Sequence, residues 1–93
     1  MPASVISEAP PQAPPAEQLL RDAEAWAAEC GLTRPFTLTG PEKVEYPRAG
    51  FGYTVLVNEQ EAPGRRRATR MGTAKFDAQG RRAMWTIDGM VVL

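Results

Sequence analysis

The densest chemistry in this sequence is Arg65-Arg66-Arg67-Ala68-Thr69-Arg70, four guanidinium groups within six residues. Arginines gathered on one surface hold phosphates through charge and paired N–H donors, so nucleic-acid binding is one reading of the segment. A C-terminal hairpin, argued below, brings Lys75, Arg81 and Arg82 towards the same patch. Gly50-Phe51-Gly52-Tyr53, with Arg48 two residues ahead of it, adds two aromatic rings of the kind on which unpaired bases stack. The competing reading of the arginines is a charged edge strand that keeps one sheet from pairing with another. For Phe51 and Tyr53 the competing reading is ordinary core or edge packing.

The Gly50–Tyr53 run is similar to the aromatic ribonucleoprotein-1 element of RNA-recognition and cold-shock domains, where exposed aromatics stack on bases. The likeness covers only a short stretch and departs from the pattern in three ways. Ala49 separates the basic residue from the glycine, Thr54 stands where an aliphatic is expected, and Val55 replaces an aromatic. A helix ahead of every strand also breaks the element order of the RNA-recognition fold. No family is assigned on these residues.

Acid–base and metal chemistry have little to work with. The 93 residues include no histidine, which removes the commonest general base, the commonest metal ligand and the usual partner of a nucleophilic serine or cysteine. Cys30 falls on the apolar stripe of a helix, at the end where the dipole disfavours a thiolate, so core packing is its expected role. Glu42, Glu45, Glu59, Glu61, Asp77 and Asp88 fall at turns or polar strand positions, without the converging pair that carboxylate catalysis needs. No phosphate-cradling glycine loop, dinucleotide fingerprint or metal-ligand spacing occurs. The expectation is a protein that is not an enzyme, with no catalytic residue, metal or cofactor.

Apolar residues at 43% and charged residues at 24% are ordinary for a globular domain. The net charge of zero hides a dipole. Residues 1–33 set Arg21 against Glu8, Glu17, Asp22, Glu24 and Glu29, whereas residues 65–93 set seven basic residues against Asp77 and Asp88. A lone cysteine excludes an internal disulfide. Neither a basic-then-apolar leader nor an apolar run of membrane length is visible, so a cytoplasmic protein with no membrane partner is expected.

Few elements are available to position these side chains. Residues 1–14 hold Pro2, Pro10, Pro11 and Pro14, with Val5 and Ile6 as the only large aliphatics beyond Met1. That much apolar surface cannot offset the entropy of ordering, which predicts a disordered Pro/Ala-rich tail. Pro11-Gln12-Ala13-Pro14 has the spacing of a polyproline ligand but no basic residue beside it. Residues 15–93 are expected to form a single small domain. Its helix covers 15–30: Pro15 suits the first helical position, Glu17 meets the positive dipole end, and Leu19, Ala23, Trp26 and Cys30 recur at helical spacing. Leu20 and Ala27 widen that stripe, Gly31 is the natural C′ residue, and Leu32 can fold back onto it.

Beyond Arg34 the apolar period becomes two. Phe36 and Leu38 mark a strand that Gly40-Pro41 is expected to turn, Val44 and Tyr46 a second strand ended by Pro47, and Tyr53–Val57 a central one. Asp77-Ala78-Gln79-Gly80 suits a type I turn with Gly80 left-handed, pairing Asp77 with Arg81. Carried along the hairpin, that register puts Ala74, Phe76 and Met84 on one face, and Met71, Thr73, Trp85 and Ile87 on the other.

The expected fold is α+β: one N-terminal helix packed on a four- to five-stranded, mostly antiparallel, curved sheet, with closure into a small barrel as the variant. One helix covers one face, so Met71, Trp85 and Ile87, with the apolar terminus Met90, Val91, Val92 and Leu93, form the candidate protein-contact surface. The functional expectation is a non-catalytic protein-interaction module, a small adaptor, inhibitor or assembly component, whose partner is another protein or a second copy of itself. The alternative is a nucleic-acid-binding module using Arg65, Arg66, Arg67, Arg70, Arg81, Arg82, Phe51 and Tyr53.

Overall fold

A computed structural model describes residues 14–48 and 50–91. The helix α1 (Ala16–Glu29) precedes the strands β1 (Phe36–Tyr46), β2 (Gly50–Glu59), β3 (Met71–Asp77), β4 (Arg82–Ile87) and β5 (Met90–Val91). The strands pair antiparallel in chain order, and α1 packs across β1, β2 and β3. This is the expected α+β fold in its open form: β1 and β5 are the two edges of the sheet, and the barrel variant does not form. The tail assigned to 1–14 falls outside the described residues as far as residue 13, while Pro14 is half-buried beside Gly80.

Local sequence explains both ends of α1. Pro15 is the N-cap rather than the first helical residue, and its carbonyl accepts from the amides of Gln18 at 3.1 Å and Leu19 at 3.2 Å. At the other end Gly31 takes φ 95. The Gly31 amide donates to the Ala28 carbonyl at 3.2 Å and the Leu32 amide to that of Ala27 at 3.0 Å, the paired bonds of a Schellman motif. The motif swings Leu32 into the core beside Leu19, Ala23, Trp26 and Ala27. There Trp26 meets Phe76 edge-on at 5.7 Å and Trp85 at 5.6 Å.

The expected turn at Gly40-Pro41 is corrected. β1 runs straight through it as one 11-residue strand, and the pairing passes from Thr39↔Leu56 to Glu42↔Thr54, a bulge that leaves two residues opposite Val55. Gly40 has φ 117, and a Cβ there would stand 2.8 Å from the Thr54 carbonyl oxygen. A glycine lets the strand bend over the core where any other residue would turn it away. The fifth strand is instead β5, reached through Asp88-Gly89, both at positive φ, as a two-residue type I′ hairpin requires.

The β3–β4 hairpin also departs from the expected register, and the departure decides which residues are on the surface. Its turn is as expected, with the Gly80 amide donating to the Asp77 carbonyl and the Asp77 amide to that of Arg81, each at 2.9 Å. Phe76↔Arg82 continues that register, but the next pair is Lys75↔Met84, leaving Ala83 as an extra residue. A one-residue slip moves every later side chain to the opposite face. Trp85 therefore joins Phe76 and Ala74 beneath α1 and is 0% exposed, while Met84 turns outward at 37%. Ile87 packs half-buried against the same core. Gly72 and Ala74 form the slot for the indole, since a Cβ on Gly72 would lie 2.3 Å from the Trp85 ring.

Candidate interaction surface

The basic segment does not form the patch the sequence suggests. Residues 65–70 are a loop that wraps around Glu59, the last residue of β2, whose inward parity with Val55 and Val57 buries its side chain completely. Both terminal nitrogens of Arg67 donate to the Glu59 carboxylate at 2.6 Å, and the amides of Thr33 and Arg70 donate at 2.6 and 2.9 Å. Arg65, its side chain only 8% exposed, approaches from a third side at 3.3 Å. The Arg67 guanidinium, helped by the two amides, holds the Glu59 carboxyl down at about 2 against the pull of burial. Arg70 donates to the Gly31 carbonyl at 2.8 Å, tying the loop to the end of α1. Among the described residues, Arg66 is the one arginine of the segment without a hydrogen bond or ion pair.

The other candidate cations are elsewhere. β3 lies between Arg70 and Arg81, a span of roughly 20 Å at strand rise. Arg81 binds the Asp77 carboxylate at 2.9 Å. Arg82 reaches under α1, forking to Asp22 at 2.8 Å and Glu29 at 2.7 Å with its carbon 5.0 Å above the Trp26 ring. Lys75 faces away from the helix. The expected single basic patch is thus four separate sites, because the strand that was to join them separates them. Phe51 and Tyr53 pack edge to face at 6.0 Å with the Lys43 ammonium 4.3 Å from the Phe51 ring, and Tyr53 rests on the core. Cys30 packs against the core too, its thiol pushed up by burial and by Glu29.

What the structure leaves bare is the other face of the sheet. Residues that alternate with the buried Val55, Val57 and Ala74 point away from α1, and the register aligns them in rows. One row is Thr37, Asn58 and Met71; the next is Thr39, Leu56, Thr73 and Thr86; the third is Glu42, Thr54, Lys75 and Met84. Among the described residues no element packs over them. Threonines present a methyl and a hydroxyl together, so this face is half-apolar, with Leu56 at its centre and Met71 43% exposed. At one corner a hollow of about 260 Å³ opens between Tyr46, Phe51, Lys75, Ala83 and Met84. Glu42 and Lys75 have no ion pair or hydrogen bond among the described residues.

Of the candidate contact residues, Met71, Met90 and Val91 are exposed, whereas Trp85 and Ile87 belong to the core. Val92 and Leu93 lie outside the described residues. Sequence reasoning missed Leu56, Glu42, Lys75 and the outward turn of Met84, which needed the bulge to be known. The sheet edges offer less. β5 pairs over two residues only, and the middle of β1 is bulged and holds Pro41, which has no N–H to give.

No helix among the described residues is long and apolar enough to cross a membrane. No protein-family model, curated protein or solved structure matches this chain.

Proposed function

We propose that this protein is a non-catalytic interaction module, an adaptor, inhibitor or assembly component, that binds another protein through the uncovered face of its sheet. The carrying observation is the bare set of rows centred on Leu56, with Met71 and Met84 exposed beside it. Side chains of this mixture suit a partner that brings a second sheet or strand surface, apolar at its centre and charged at its margins. Glu59 speaks against acid–base work, because a carboxylate saturated by two arginines and two amides has no proton to move near neutral pH. The nucleic-acid alternative draws less support, since Arg65 and Arg67 point at Glu59, Arg70 at a carbonyl, and Arg82 at Asp22 and Glu29.

Capture from an extract of the native source tests this reading, comparing wild type with Leu56→Lys and with Arg66→Ala as a control away from the face. Thermal melts establish that both variants remain folded. Proteins held by wild type and by Arg66→Ala, and lost with Leu56→Lys, are the expected result. The same proteins recovered with Leu56→Lys would contradict it.

A further inference from the structure

We infer that the uncovered face binds a second copy of this chain, the two sheets stacking about a twofold axis that runs along β2. The inference rests on the interaction-module reading and names its partner. Its basis is a charge arrangement. Glu42 on β1, Thr54 on β2 and Lys75 on β3 stand in one outward row. Adjacent strands are about 4.8 Å apart, so Glu42 and Lys75 stand roughly 10 Å from each other on either side of Thr54, their side chains projecting side by side off the sheet with no ion pair joining them. Among the described residues neither has a partner, on a face where an uncompensated charge would oppose burial.

A twofold axis parallel to the strands and passing over β2 exchanges left and right across the facing sheet. Glu42 of one copy then stands over Lys75 of the other, and Lys75 over Glu42, while Thr54 meets Thr54. In the neighbouring row Leu56 meets Leu56, and Thr39 meets Thr73. Met71 comes over Thr37. Glu42 and Lys75 each find their opposite, Asp77 comes over Val44 and keeps its own Arg81, and the central Leu56 finds itself, as a closed, isologous interface requires. Aligned sheets pack about 10 Å apart, within reach of a lysine and a glutamate side chain. The face is favoured over the edges for self-association because β1 is blunted by Pro41 and its bulge, and β5 is short.

Three overlapping strands bury an area near the low end of specific interfaces, about 1,000 Å² in total, so association belongs at high protein concentration. The test is light-scattering molar mass from about 10 μM to about 1 mM, the span such an interface calls for. It compares wild type, Glu42→Lys, Lys75→Glu, and an equal mixture of the two variants. Both substitutions sit at outward positions without intrachain partners, and thermal melts check that the variants fold. Wild type should approach twice the chain mass. Each variant alone faces like charge with like charge twice over and should stay monomeric. The mixture should dimerise again, since one copy then supplies two lysines and the other two glutamates. Dimers in either variant alone, or a mixture that stays monomeric while wild type dimerises, would overturn this pairing. Wild type monomeric throughout would overturn the second copy as partner while leaving the module reading to the capture experiment.

Discussion

Replacing Glu59 with glutamine keeps the side-chain shape and removes its charge. The carboxylate is completely buried and takes two bonds from Arg67 and one each from the amides of Thr33 and Arg70. A glutamine must turn its NH₂ towards some of these donors, and it leaves Arg65, 8% exposed, without a counter-charge. Breaking a buried ion pair from one side costs about 3–5 kcal/mol. The Arg67 side chain is 40% exposed and can recover water, which favours the lower end, ~3 kcal/mol. Linkage gives a similar size: a carboxyl lowered from 4.5 to about 2 corresponds to ~3 kcal/mol at about 1.4 kcal/mol per unit. With a urea slope of about 1–1.5 kcal/mol per molar, the unfolding midpoint should fall by about 2–3 M. Because the folded value is depressed, this stabilisation is complete above 4.5 and is lost as pH falls towards about 2. The gap between wild type and Glu59→Gln should therefore narrow over that interval in urea titrations followed by tryptophan fluorescence. A midpoint shift below about 0.5 M, or a gap that does not change with pH, would refute the reasoning.

Trp85→Ala should cost about 3–5 kcal/mol and Met84→Ala less than about 1 kcal/mol in chemical denaturation; the reverse order would restore the register without the bulge. Gly72→Ala places a methyl where the Trp85 ring lies and should lower stability by about 1–3 kcal/mol, read as a lower melting temperature; an unchanged melt would show that the slot has room. The Cys30 thiol, pushed up by burial and Glu29, should react with a disulfide reagent at pH 8 several-fold more slowly in the folded protein than in urea, and equal rates would place it at the surface.

The helix and most of the core were legible because each rests on a local rule. The stripe Leu19-Ala23-Trp26 and the Gly31-Leu32 terminus are written in spacing and in glycine's freedom at positive φ, and the structure keeps both. The bulges were not legible. Gly40-Pro41 looks like a turn and Ala83 like any strand residue, yet each inserts one residue into a ladder. The choice between turn and bulge is made by what lies across the sheet: the Thr54 carbonyl beside Gly40, and the slot over Gly72 that receives Trp85. Since a strand's two faces differ by a single residue, one missed bulge exchanges the faces of Trp85 and Met84, although the size and apolar character of Trp85 already mark it as a core candidate. The arginine loop failed for a related reason. Glu59 breaks an otherwise apolar inward alternation after Val55 and Val57, a visible sign that a cation must come to meet it, but which arginine comes depends on a loop without periodicity. Asp88-Gly89 carried a hairpin signal that the apolar terminus obscured.

Relaxation of methyl groups by a soluble paramagnetic agent tests the working surface most directly, measured on methyl-labelled protein free and with its partner bound, whether a second copy or a captured protein. In the free protein the agent should broaden Met71 and Met84 and spare Val55 and Val57 beneath α1. On binding, Leu56 and Met71 should become protected while Met90, on the short β5 edge, stays accessible. Unchanged relaxation at Leu56 and Met71, with protection appearing at Met90 or along α1, would contradict the assignment of the uncovered sheet face as the site of contact.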